Sequence, residues 1–211
     1  MSTEKVDRRE QILEISQQLF ASLGYHKTKI SDIVREAGIA QGTFYWHFKS
    51  KEAIALEIIQ QGRNGLLEVV AHGHRKFPGT VKDVVNSSEK LFEELFDFSA
   101  SNRYMMEMIF KGIDGEESLK QVIIETRLKV EEAFQNNIKR AMELNILPER
   151  DPGLQAALLM SLFEGILSRW LFGPVSEGSH IRNKTTAELA KEMVRFEFFG
   201  LLGTYKGDRL L

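Results

Sequence analysis

The chain has 211 residues, a formal net charge of −2 and no cysteine, with 43% hydrophobic and 27% charged residues. That composition excludes a disordered tail, and the length allows a real core without covalent staples. The missing cysteine excludes disulfides, cysteine–zinc sites, iron–sulfur ligation and thiol catalysis, and fits a reducing compartment.

Segments between glycine and proline breaks read as helices in chain order. Ile12, Ile15, Leu19, Phe20 and Leu23 fall on one helical face, with Asp7 as N-cap, Glu10 in capping-box spacing and Gly24 as the stop. A second helix spans about Lys29 to Ala37, capped by Thr28 and stopped by Gly38. A third covers about Gln41 to Trp46. Ser50 caps a fourth that starts at Lys51 and runs past Ile59, where Gly62 and Gly65 are expected to weaken or bend it. Phe77-Pro78-Gly79 is a boundary. Further helices are expected near 80–100, 103–112, 116–146, 152–172 and 184–203. No segment has the period-two alternation of a strand. The reading is all-α, divided into 1–50, a connecting helix over 51–75, and 76–211.

No apolar run reaches the ~18 residues of a membrane span. Even Ala156 to Phe172 is broken by Ser161, Glu164 and Arg169. Met1 to Asp7 is polar and holds no signal core. A cytoplasmic chain with no membrane contact is expected.

The chemistry concentrates near the N-terminus. Between Tyr25 and Lys51 stand five cations, Lys27, Lys29, Arg35, Lys49 and Lys51, against Asp32 and Glu36. Such a patch suits phosphates or a solvated face equally. Two short helices joined by Ala37-Gly38-Ile39-Ala40 have helix-turn-helix proportions. With Phe44 turned into a small core, a helical wheel turns Gly42, Thr43, Tyr45 and Trp46 outward, and Gln41 lies at the helix start. Gln41 suits an adenine edge, the Thr43 methyl suits a thymine methyl, and Gly42 permits close approach. Tyr45, His47, Lys49 and Lys51 suit phosphates, with a bond to a neighbouring carbonyl as the alternative for His47.

Three strings carry a resemblance: Phe20-Ala21-Ser22-Leu23-Gly24-Tyr25, Thr28 through Ile39, and Gly42-Thr43-Phe44-Tyr45-Trp46-His47-Phe48-Lys49-Ser50-Lys51-Glu52. Together they resemble the DNA-binding domain of TetR-family transcriptional regulators over roughly residues 7–60. The resemblance implies an N-terminal three-helix helix-turn-helix domain and a larger C-terminal helical ligand-binding and dimerisation domain. It implies a repressor that acts as a homodimer on double-stranded DNA. By motif position, Lys29, Ser31, Gln41, Gly42, Thr43 and Tyr45 are base-contact candidates. Thr28, Tyr45, Trp46, His47 and Lys51 are phosphate candidates. Ala40 stands where the family often has Ser, Val34 where Ala is common, and Lys29 where Thr or Ser is common.

Beyond residue 76 large apolar side chains suit either a core or a cavity. In the resembling family the cavity lies between helices of this domain. That implies ligand candidates Phe92, Phe96, Met105, Met106, Phe110, Phe134, Met160, Phe163, Glu164 and Trp170, and a small, largely apolar ligand. Glu164 and Arg169 suit ligand orientation, a mutual bridge or a dimer contact. The last two long helices are apolar on nearly every face, and Gly165, Gly200 and Gly203 permit close approach. The family dimerises through its final two helices, which implies a twofold dimer and a near-palindromic operator.

A helical enzyme finds little support: there is no P-loop, paired His-Glu metal motif, nucleophile elbow or glycine fingerprint. His72-Gly73-His74 lacks a third metal ligand in sequence. No cofactor or metal is expected. A helical adaptor without DNA has no use for the basic, aromatic helix-turn-helix.

Overall fold

The computed structural model describes residues 7–113 and 116–202. Among them the regular elements are α1 (Arg8–Leu23), α2 (Ile30–Glu36), α3 (Gln41–His47), α4 (Lys51–Ala71), α5 (Val81–Ser101), α6 (Arg103–Phe110), α7 (Glu117–Glu143), α8 (Pro152–Leu171) and α9 (Thr186–Phe199). Short 3₁₀ turns occupy Ile181–Asn183 and Gly200–Leu202. The protein is all-helical, as the apolar spacing predicts.

Local chemistry sets most boundaries. Asp7 accepts hydrogen bonds from the Arg9 and Glu10 amides, and Gly24, at φ 88°, ends α1. Asp151 accepts from the Gly153 and Leu154 amides, with Pro152 in the first turn of α8. Thr185 and Glu188 form a reciprocal capping box that starts α9. Gly200, at φ 58°, ends α9 sooner than the apolar pattern to residue 203 suggests. A Cβ on Gly200 would meet nothing within 4 Å, so within this chain the glycine serves to terminate the helix. Gly203 lies outside the described residues.

Two expectations are corrected. Thr28 does not cap α2. The N-cap is Lys29, whose amide donates to Asp32 Oδ2 at 3.0 Å. Gly62 and Gly65 do not interrupt α4, which is one helix across both. They are sites of close packing. A Cβ on Gly62 would lie 2.5 Å from Met105 Sδ and 2.6 Å from Ile109 Cδ1; one on Gly65 would lie 2.3 Å from the Phe98 ring.

Packing divides the chain into two units. The first comprises the described residues of Met1–Asn64 and Asn102–Leu128, the second those of Gly65–Ser101 and Lys129–Leu211. In the first, Ile12, Leu13, Phe20, Ile33, Phe44, Ile54 and Ile58 form the core. In the second, α5 packs most extensively on α9. Its centre is a chain of rings. Phe92 stacks on Phe134 at 5.9 Å between centroids, Phe96 meets Phe163 at 5.4 Å, and Trp170 meets Phe96 edge-on at 5.8 Å.

Gly62→Ala gains about 1 kcal/mol of helix propensity. It also forces a methyl against Met105 and Ile109, both buried, where overpacking costs about 1–3 kcal/mol. A net loss of stability is expected in urea unfolding, and a gain would show that the site has spare room. The capping carboxylates Asp32, Asp83 and Glu188 are each held below their ordinary range, chiefly by the backbone amide each accepts. Their folded values lie below the unfolded ones, so their contribution is present above the ordinary carboxylate range. It is lost as pH falls through the folded values. Glu188→Gln should therefore make the acid limb of a helicity titration shallower.

Candidate functional site

At seven residues, with Ala40 as an N-cap that offers no side-chain acceptor, α3 cannot hold itself in water. It is held from one side. Phe44 is fully buried, and the Phe48 ring follows at 6.3 Å between centroids. The Arg9 guanidinium lies 5.0 Å from the Phe48 ring centroid and pairs with Glu57 of α4 at 2.5 Å. Gly38, at φ 61°, makes the turn from α2, and Gln11 Nε2 donates to the Ala37 carbonyl at 3.3 Å.

With Phe44 turned in, the opposite face is open. Gln41 and Gly42 are exposed, Thr43 and His47 half-buried. Tyr45 is 49% and Trp46 80% exposed. The Trp46 and His47 rings meet edge-on at 4.5 Å between centroids. Ser31, Lys27, Lys29 and Lys49 are exposed around them. Arg35 is matched by Asp32 at 2.9 Å, while no ion pair among the described residues engages Lys27, Lys29 or Lys49. The result is an aromatic helix face flanked by exposed cations, chemistry complementary to a phosphate-lined groove.

Thr28 and Lys51 have inward roles that spacing alone did not reveal. Thr28 is buried, and its hydroxyl donates to the Leu19 and Gly24 carbonyls. Lys51 Nζ donates to the Tyr25 carbonyl at 2.6 Å and the Thr28 carbonyl at 2.9 Å, and lies 4.2 Å from the Tyr25 ring centroid. Burial pushes its ammonium below the usual lysine value, and Glu116 acts the other way. Burial also raises the Tyr25 hydroxyl, with Glu52 and Glu116 adding to it. Lys51 thus clamps the α1–α2 loop to the start of α4. Ser50 caps α4, its hydroxyl accepting from the Ala53 amide at 3.0 Å.

The expected ligand residues separate. Met105, Met106 and Phe110 belong to the first unit; Phe92, Phe96, Phe134, Met160, Phe163, Glu164 and Trp170 belong to the second. Phe96, Met160 and Phe163 are packed core, and Trp170 Nε1 donates to the Lys184 carbonyl at 3.1 Å. Arg169 Nη1 donates to the Gly165 carbonyl of its own helix. A cavity of about 60 Å³ opens beside Phe92 and Phe134. Its other walls include Arg75, Leu91, Asn137, Glu197 and Phe198, none of which is among the ligand candidates named from the sequence. The available signal was Glu197, a lone acid in the apolar run Phe196-Glu197-Phe198-Phe199.

Residues 12–58 match the family described as bacterial regulatory proteins, tetR family. That segment contains α2, α3, the turn between them and Phe44 with its exposed neighbours. The HTH-type transcriptional regulator AcrR of Shigella flexneri is 28% identical over 177 residues, 82% of each chain. Over residues 12–58 the chain is of the tetR family. The fatty acid metabolism regulator protein of Bacillus subtilis is 27% identical over 187 residues, 87% of this chain and 76% of that one. The solved structure of the transcriptional regulator FadR from Bacillus subtilis in complex with stearoyl-CoA has the same fold, with TM-score 0.72 at 18% identity, over 91% of this chain and 98% of that one. TetR regulators bind DNA and act as dimers.

The Lys51 clamp and the exposed Lys49 should separate cleanly. Lys51→Met leaves two carbonyls without their donor and should cost about 1–3 kcal/mol of stability in urea unfolding. Lys49→Met should stay within about 0.5 kcal/mol. Equal effects would show that the clamp carries no stability.

Proposed function

We propose that the protein is a cytoplasmic repressor whose homodimer binds a near-palindromic operator through α3 and whose operator affinity is changed by a small, largely apolar ligand. The observation that carries the DNA reading is the two-sided α3: Phe44 buried, Tyr45 and Trp46 bare, free lysines alongside. Gln41, Gly42, Thr43, Tyr45, Lys29 and Ser31 are the proposed base contacts; Tyr45, Trp46 and His47 are the proposed phosphate contacts. Thr28 and Lys51 support that surface from inside. Functionally, residues 1–50 form the DNA-binding head, 51–75 the connection, and 76–211 the ligand-binding and dimerisation part.

Dimerisation through α8 and α9 is supported by apolar side chains left open on them. Leu154 is 56% and Leu158 58% exposed, one turn apart on α8, and Ser161 and Gly165 continue that face. Phe196 on α9 is 46% exposed. The opposite face of α8 is already filled by Ala156, Leu159, Met160, Phe163 and Leu167. A twofold pairing supplies two copies of α3, one for each half-site of an operator whose half-sites lie roughly 34–36 Å apart.

A ligand acts here by binding one arrangement of the dimer better than another, and it shifts operator affinity by that difference alone. The ligand part is supported by the cavity in the second unit and by the relative solved with stearoyl-CoA.

Selection of bound duplexes from a random pool, repeated with candidate ligands, tests the proposal. Tyr45→Ala should weaken binding to the selected duplex by about 1–3 kcal/mol, with helicity and dimerisation unchanged. Unchanged affinity would remove α3 from the interface. Leu158→Glu should yield monomers in analytical ultracentrifugation and lose the duplex; a dimer that persists would place the pairing elsewhere.

A further inference from the structure

The operator reading depends on where the α1–α2 loop sits, and the first unit fixes that loop at one point. Tyr25 and Thr28 are buried, while Lys27, Lys29 and Ser31 stand exposed between and beyond them. Lys51, the first residue of α4, donates to the Tyr25 and Thr28 carbonyls at 2.6 and 2.9 Å. Whatever fixes the first turn of α4 therefore fixes the exposed loop residues with it.

The start of α7 reaches that same turn. Leu119, fully buried, seats it in the first unit. The Leu119 and Lys120 amides donate to the Glu116 carbonyl at 3.0 and 3.3 Å, which puts Glu116 at the N-cap of α7. Ser118, next to Leu119, donates its hydroxyl to Glu52 Oε1, and Glu52 directly follows Lys51. The bond joins residues 66 apart in the chain, so it is a tie between helices and not a local turn. Glu116 adds charge to it. The partners of the Lys51 ammonium are two carbonyls and a ring, all neutral. Burial pushes that ammonium down, and the Glu116 carboxylate works against the push.

We propose that Ser118 and Glu116 are positioning residues for the operator surface: the start of α7 holds the first turn of α4 and, through Lys51, sets the place of Lys27, Lys29 and Ser31. The inference rests on the operator reading and adds to it residues outside the 12–58 segment that matches the family. Its signature is a sign. An acid near a duplex repels phosphates, so charge alone predicts that Glu116→Gln tightens binding. Positioning predicts that it weakens binding.

Fluorescence anisotropy on a duplex selected by the unmodified full-length protein decides between them. Ser118→Ala and Glu116→Gln should each weaken binding about three- to tenfold, the reach of one hydrogen bond. The dependence on salt should stay the same, because no phosphate contact is lost. Ser118→Thr and Glu116→Asp keep the hydroxyl and the charge, and should restore the affinity. Both sites are exposed, and helicity checks folding; should one variant unfold, the other decides. Amide hydrogen exchange without DNA reads the loop directly. At Thr28, Asp32 and Ile33, whose amides donate to Gly24 and Lys29, exchange in Ser118→Ala should be faster by about threefold or more, with Gln11 of α1 unchanged. Unchanged or tighter duplex binding, a flatter salt dependence, failure of the conservative variants to restore affinity, or unaltered exchange would each overturn the proposal. If the unmodified protein retained no duplex, the operator reading would fall and the exchange rates would still decide whether α7 holds the loop, so the two fail separately.

Discussion

The burial of Phe44 is the contact on which the open face of α3 depends. A helix of seven residues with an alanine N-cap has no internal means of staying folded. Its apolar anchor supplies what nucleation and capping do not. Because the anchor is single, it also sets the rotation of the helix. Once Phe44 points inward, the 100° step between residues turns Gly42, Tyr45 and Trp46 to solvent, and Gln41 is exposed at the helix start. The neighbouring devices serve the same end. Arg9 covers the Phe48 ring, Gly38 bends the chain into α3, and Lys51 ties the preceding loop to α4. A surface proposed to read a groove must hold its side chains in register, and here the register is a packing property of the small core.

Much of this was legible from residue types alone, because the deciding signals are local. Asp7, Ser50 and Asp151-Pro152 announce helix starts through their own side chains, and Gly24 and Gly38 announce stops through their backbone freedom. The placement of Phe44 follows from periodicity, and so does the outward set. Where the sequence misled, the deciding neighbour was distant in the chain. Thr28 reads as a cap by type, yet its hydroxyl meets the Leu19 carbonyl nine residues earlier. Lys51 reads as a phosphate ligand, yet the Tyr25 carbonyl takes its ammonium. Gly62 reads as a weak point in a helix, yet Met105 and Ile109 need the space it leaves. Propensity describes what a residue does alone, and each of these residues is decided by what folds against it.

The same limit explains the cavity. Phe96, Met160 and Phe163 are as large and apolar as any cavity lining, and composition cannot separate a ring that faces another ring from one that faces a void. The ring chain of the second unit consumes most of the aromatic surface there. What remains open is small and carries an acid. That combination has a physical consequence for regulation. A cavity too small for a drug-sized ligand, which needs about 300 Å³ or more, cannot accept one without moving its walls. Those walls include α5, α7 and α9 side chains, and α9 also carries Phe196, one residue before Glu197, which is 46% exposed. A ligand that displaces the inward face of α9 therefore also works on the face proposed for the second subunit. Its binding energy is divided between filling the cavity and moving that helix, and only the part that differs between the dimer's arrangements reaches the operator.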